Sequence, residues 1–343
     1  MTGQSARAAY RSALVVILIG TVMASMFVAS YSLALGRPVP HDIPTAVVGD
    51  PAHRPVLVDT LQEATDGALH LRPYPSVAAA KAALDRQTVF AVLVLGPDRA
   101  QLLVSSASGA SVALALDRAT ERVNAQLAPG SAPPLRVVDV HPLPPTDPQG
   151  LVSFYVTIAA TVLGFVVMFQ LRQHAPGLSV RAWLASIAVL GAVGGLALTV
   201  VTGPLLHALA GSFPELWAAV AAQIVVAALF NSTMIVLFGR WAIIPTWLMF
   251  IAFGNASSGG AVAAPLLPAV YAFVGRYLPT GAAVRILHTA AYFRHAQHPE
   301  PFLVESLWLV GTLVAFLLSV RLRHRGPTGP LPTAATAAAM AAR

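Results

Sequence analysis

A set of apolar runs, each about twenty residues long, constrains this chain more than any other feature. A helix rises roughly 1.5 Å per residue and the hydrocarbon core of a bilayer is about 30 Å thick, so about 20 apolar residues suffice to cross it. Runs that meet this requirement cover residues 13–35, 151–171, 182–206, 216–238 and 302–320. A sixth covers 241–254, starting at Trp241 and losing its simple apolar character near Gly254. Only 10% of the 343 residues are charged, against roughly 25% in a soluble globular domain. A soluble enzyme, a disordered chain and a nucleic-acid binder are therefore excluded as leading readings. The net charge of +7 does not restore the last of these, because the basic residues cluster beside the apolar runs, which is how topology is written into a membrane chain. There is no cysteine, hence no disulfide framework, thiolate metal site or cysteine nucleophile.

The first run follows Arg7 and Arg11 and could be read as a signal peptide. Its apolar part of 23 residues (13–35) exceeds the roughly 7–15 of a signal peptide, which predicts an uncleaved anchor helix after a short cytoplasmic stretch, residues 1–12. With six spans and the N-terminus inside, the inner segments hold Arg7, Arg11, Arg172, Arg181, Arg240, Arg321, Arg323, Arg325 and Arg343 and no acidic residue. The inverted arrangement would place the 36–150 segment inside, with nine basic and eleven acidic residues. Both termini are therefore expected in the cytoplasm of a multi-pass inner (plasma) membrane protein, with Arg276, Arg285 and Arg294 as exceptions on the outer side. Residues 326–343, rich in Pro, Thr and Ala, are expected to be a disordered cytoplasmic tail.

Residues 36–150 form one polar block bounded by Pro-rich stretches, Arg37-Pro38-Val39-Pro40 and His141-Pro142-Leu143-Pro144-Pro145. Between them, strand-like runs at 45–48, 69–71, 90–95 and 101–105 alternate with helical patterns at 56–67, 76–85 and 112–127. Ser76 suits an N-cap. The alternation predicts an extracytoplasmic α/β domain between helices one and two. His41, Asp42, Asp50, His53 and Asp59 crowd together in sequence but share no HExxH-like spacing, and read as solvated loop residues rather than metal ligands. There is no GxSxG elbow and no P-loop, since the single lysine, Lys81, sits between alanines. No catalytic residue, cofactor or metal is predicted, and the chain is not expected to be an enzyme.

The most informative stretch precedes the last span. Gly254-Asn255-Ala256-Ser257-Ser258-Gly259-Gly260 breaks the helix, and Pro265-Leu266-Leu267-Pro268 and Tyr277-Leu278-Pro279-Thr280 follow. Irregular backbone at membrane depth is tolerated only where it is buried in protein or lines a cavity. Residues 262–293 contain apolar pieces too short to span and are expected to be re-entrant. The fold class is thus membrane α-helical, with six transmembrane helices, re-entrant segments before the last and one external α/β domain, the five-helix membrane part being residues 151–325.

Four stretches together resemble the ABC-2 type membrane proteins, and most closely their YhgE/Pip or DUF3533 branch. They are Pro44-Thr45-Ala46-Val47-Val48, the segment Phe90 to Pro97, Leu237-Phe238-Gly239-Arg240-Trp241, and the Ser257-Ser258-Gly259-Gly260 series with its later Leu-Pro pairs. The resemblance implies a permease subunit that exports hydrophobic or envelope compounds or confers drug resistance. It also implies pairing into a homo- or heterodimer, and in true ABC members a separate P-loop ATPase. Only about 12 residues precede span one and the loop at 172–181 is ten residues long, so both ATPase-facing features of such permeases are short here.

Polar residues inside apolar helices default to functional candidates. The substrate path is expected along Asn231, Asn255, Ser257, Ser258, Gly259, Gly260 and Glu305. Asn231 also reads as an interhelical hydrogen bond, and Glu305 as a snorkelling interface residue, as a partner of Arg294 or Arg285, or as a proton-coupling carboxylate of a proton-driven exporter. Gly191, Gly194 and Gly195 suit close helix packing, and Trp183, Trp217, Trp241 and Trp308 suit an aromatic belt. A reading of another class stands beside export: a non-transporting envelope component or phage/ligand receptor whose external domain is the working part. The lipid bilayer is the one partner common to all these readings, and no nucleic acid is expected.

Overall fold

The computed structural model describes residues 3–36, 38–96, 99–127 and 134–325. Arg37, Pro97, Arg343 and the predicted tail lie outside the described residues, as does the Arg325 side chain. Helix α1 (Gly3–Leu35) leads into a soluble domain of β1 (Ile43–Val48), α2 (Pro55–Ala64), β2 (Leu69–Pro73), α3 (Val77–Asp85), β3 (Ala91–Leu95), β4 (Ala100–Val104), α4 (Ala110–Gln126) and β5 (Arg136–Asp139). The sheet order is β2-β1-β3-β4-β5, parallel except for the antiparallel β3–β4 pair. Successive strand residues face opposite sides. Ala91 and Leu93 accordingly join α2 and α4 in one core, whereas Val92 joins Ala80, Ala83 and Leu84 of α3 in the other. A sheet covered on both faces explains why β3 reads as an unbroken apolar run. Ser76 caps α3, accepting from the Ala79 amide at 3.2 Å. Asp50 caps the turn after β1, accepting from the Ala52 amide at 2.9 Å. The strand β5 is not among those predicted; with only Val137 and Val138 partly buried, one on each face, its four residues carry too little period-two signal.

The remaining helices are α5 (Val152–His174), α6 (Val180–Val200), α7 (Phe213–Phe238), α8 (Ile243–Trp247), α9 (Ala269–Tyr277), α10 (Pro279–Tyr292) and α11 (Pro299–Arg325). Among the described residues, five are long and apolar enough to cross a membrane: α1, α5, α6 with its π-helical extension to Leu205, α7 and α11. Helix α7 is the axis of the bundle, packing against α5, α6, α10 and α11. Its contact with α6 rests on two glycines. A Cβ on Gly191 would lie 2.6 Å from the Val225 side chain, and one on Gly195 3.0 Å from Ala221. Gly194 faces Leu163 of α5 as well as Ile224 of α7. Helix α1 joins the bundle only near its end, through Phe27 against Trp247 and Ser30 bonded to the Ala252 carbonyl.

The sixth long span is not present. Residues 241–254 form a short turn, the five residues of α8 and an eight-residue π-helical piece, Leu248–Asn255, together under about 20 Å long against a core of about 30 Å. The chain nonetheless changes sides here. Val236, near the end of α7, accepts from Arg323, while Ala263 donates to Ser111 of the soluble domain. The crossing is completed by buried irregular backbone, whose freed groups the serines satisfy. Ser257 donates to the Phe253 carbonyl at 2.7 Å and Ser258 to the Asn255 carbonyl at 2.8 Å.

Helix ends sort onto two sides. Arg7, Arg11, Arg172, Arg181, Arg240, Arg321 and Arg323 lie on the side away from the soluble domain, and none of the described acidic residues lies there. Trp183 departs from the belt expectation: it is buried and donates to Ser232 at 2.9 Å between α6 and α7.

Candidate functional site

The helix break, α9, α10 and the start of α11 meet the soluble domain around a cavity of about 320 Å³. Short-range chemistry fixes this arrangement. Residues 262–267 leave the break in an extended and turned course, and Ala263 and Leu266 enter the soluble domain's own core. The Ala263 amide donates to Ser111 at 3.0 Å and the His41 amide to the Pro265 carbonyl at 2.9 Å. From α10, His288 Nε2 donates to the Ala107 carbonyl, and Tyr292 donates to Asp147 at 2.9 Å. His298, just before α11, bonds the Arg86 carbonyl at 2.6 Å. Asp147 also accepts from the Leu151 and Val152 amides at 2.9 and 3.2 Å, capping α5. The soluble domain is therefore bolted to the helices at several points.

The charged residues lining the cavity are Arg276, Arg285 and Glu300. Arg276 holds Glu300 in a fork, Nε to Oε1 at 2.6 Å and Nη2 to Oε2 at 3.1 Å. Arg285 lies 3.7 Å from the same carboxylate. It donates from Nη2 to the Arg276 carbonyl at 2.7 Å and from Nε to the Gly281 carbonyl at 3.3 Å. The bond to Glu300 raises Arg276 above the usual guanidinium value. Burial lowers Arg285, with Glu300 opposing and Arg276 reinforcing the shift.

Burial also pushes the His288 imidazole below its ordinary value, opposed by the Ala107 carbonyl and the Asp147 charge. A folded value below the unfolded one means that the unfolded chain binds the extra proton first. The stabilising neutral form is complete above the unfolded value, near 6.5, and is lost as pH falls toward the folded value. Melting of the purified chain is therefore expected to weaken as pH falls below about 6.5, and His288→Gln is expected to flatten that slope.

Of the residues predicted for the substrate path, Ser257, Ser258, Gly259 and Gly260 line the cavity and Asn231, Asn255 and Glu305 do not. Asn231 is sealed in the bundle, donating to the Phe165 carbonyl at 3.0 Å and accepting from Thr246 at 3.0 Å, which ties α5, α7 and α8 together. Asn255 is buried just before the break. Glu305 pairs with neither Arg294 nor Arg285; both its carboxylate oxygens are buried without a partner. It lies four residues, one helical turn, from the cavity-lining Pro301 on the same face of α11. Sequence reading did not find Arg276, Arg285, Glu300 and His288. Their only sequence signal is that the arginines break the inner-side charge rule, and the separation of 24 positions between Arg276 and Glu300 hides the pair.

These observations define a multi-pass membrane protein that carries a soluble α/β domain clamped over a break in its helices. Comparison with protein-family models, with curated proteins and with solved structures finds no match to this chain.

Proposed function

We propose that this protein is an ABC-2 type, permease-like exporter of hydrophobic or envelope compounds, of the YhgE/Pip or DUF3533 kind. The soluble domain lies outside the plasma membrane, both termini inside, and the cavity is its outer ligand site. One observation carries the reading: the Ser257–Gly260 break, at the end of a crossing too short to span alone, opens into a cavity roofed by the soluble domain. Discontinuous helices facing a cavity are where transporters hold substrate. The several bonds between domain and helices favour joint action over a receptor head on a passive anchor. A pair of chains, with or without a separate P-loop ATPase, would complete the pathway.

The test fills the cavity without straining the backbone. Ala261→Trp in cells producing the protein is expected to abolish resistance to a panel of hydrophobic toxic compounds at unchanged membrane yield. Full resistance would remove the assignment. Proton-driven export is the second reading, favoured by the unpartnered Glu305 carboxylate. In the same cells Glu305→Gln should then end uncoupler-sensitive efflux, and unaffected efflux would eliminate that reading.

A further inference from the structure

Three features of the cavity together define the chemistry of its ligand, and the first two are ones a neutral hydrophobic ligand would not need. Its lining side chains carry a formal charge of +1, two arginines against one glutamate. Arg285 is two-thirds buried, with its side chain 33% exposed, yet its hydrogen bonds use only Nε and one N–H of Nη2, out of five guanidinium donors. Its nearest carboxylate stands at 3.7 Å and is already engaged bidentately by Arg276. A half-desolvated, under-bonded guanidinium facing open space is a site for an anion, and its planar fork fits carboxylate or phosphate oxygens.

The third feature is the wall that holds Arg276. Helix α9 turns Ala272, Gly275 and Arg276 toward the cavity, while Val270, Phe273 and Tyr277 on its other side are 71%, 65% and 52% exposed. A nine-residue helix with one face on a charged cavity and an apolar face uncovered has the form of an interfacial element. The cavity itself is lined by Phe90, Ala264, Ala272 and Val284, so a molecule seated there by an anionic end meets apolar surface along the rest of its length.

We propose that the cavity binds an anionic amphiphile, with its phosphate or carboxylate group held by Arg276 and Arg285 in exchange for Glu300. This rests on the reading of the cavity as the ligand site and adds the chemistry of the ligand. Glu300 acts as the resident stand-in, releasing one or both arginines as the incoming anion takes its place. No bond is made or broken in this exchange.

The test uses the full chain in a maltoside detergent and follows its melting temperature during titration with dodecyl phosphate. Dodecanol supplies the same chain without charge, and inorganic phosphate the charge without the chain. A saturable rise with dodecyl phosphate is expected, with responses to dodecanol and phosphate at least about tenfold weaker in concentration. Arg276→Gln/Arg285→Gln is expected to weaken the dodecyl phosphate response about tenfold or more, since charge-assisted bonds are lost. If the double variant yields no folded protein, Arg285→Gln alone is read in its place. Glu300→Gln is expected to tighten binding several-fold. An unchanged response in the arginine variants, an equal response to dodecanol, an equal response to inorganic phosphate, or weakened binding in Glu300→Gln would each overturn the proposal. Dodecyl phosphate binding with export unaffected by Ala261→Trp would remove the exporter reading and leave this one standing.

Discussion

Gly275→Ala is expected to prevent accumulation of folded protein. A Cβ at this position would lie 1.7 Å from the Ser257 carbonyl oxygen and 2.6 Å from its carbonyl carbon. Those atoms belong to the backbone of the break, so no rotamer relieves the clash. The neighbour cannot retreat easily either, because Ser257 is pinned by its hydroxyl to the Phe253 carbonyl. On the far side, Gly281 lies against Gly275 itself, and a Cβ there would lie 2.0 Å from the Gly275 carbonyl oxygen. Three backbones thus stack at the cavity wall with glycine as the spacer. Overpacking a well-filled site costs roughly 1–3 kcal/mol; here the displaced atoms are main chain, and we expect the upper end or beyond. The control is Gly311→Ala on α11, where an added Cβ meets nothing within 4 Å. Alanine there should be neutral or gain up to about 1 kcal/mol. Yield and melting temperature of the two variants in detergent check the contrast, and a Gly275→Ala protein that melts like the parent refutes it.

Asp147→Ala is the second large effect. The carboxylate is 4% exposed and receives the Leu151 and Val152 amides and the Tyr292 hydroxyl. Removing it uncaps α5, at about 1 kcal/mol, and leaves a half-buried phenol without its charged acceptor, at about 1.5–3 kcal/mol. The sum is about 2.5–4 kcal/mol, read as a fall in melting temperature of at least about 5 °C. Asp147→Asn keeps one acceptor oxygen and should fall between Ala and the parent. Because the same carboxylate ties the soluble-domain linker to α10, the loss is expected to loosen the cavity roof as well. Proteolysis of the soluble domain in the folded variant should therefore accelerate.

The long spans were legible because a bilayer demands length and apolarity together, and α5, α6, α7 and α11 meet the demand along their whole runs. The soluble domain was legible strand by strand where both faces are buried, as in β3, and not in β5, whose four residues are exposed at both ends and only partly buried between. Hydropathy alone overstates the regular helix at the sixth crossing because it ignores backbone geometry: residues 248–255 remain apolar while their helix widens into a π-helical piece. Trp183 shows the same limit, since its position near a helix end suggests an interface although Ser232 draws its indole inside. Within the site, the small and hydroxylated residues of the break announced themselves as a local pattern. Arg276, Arg285 and Glu300 did not, because their meaning lies in a pairing between α9, α10 and α11 that only the tertiary fold creates. Asn231 was visible as a buried amide, but its partners on α5 and α8 were not.

The central claim is that the cavity opens outside the membrane while the arginine-flanked helix ends lie within the cell. The absence of cysteine from the sequence makes this directly measurable with single-cysteine variants and a membrane-impermeant maleimide on intact cells. Ala110→Cys, at the cavity roof, and Asp66→Cys, on the soluble domain, are predicted to label at once. His174→Cys, at the far end of α5, is predicted to label only after permeabilisation. Labelling of His174→Cys in intact cells with protection of the other two would contradict the account.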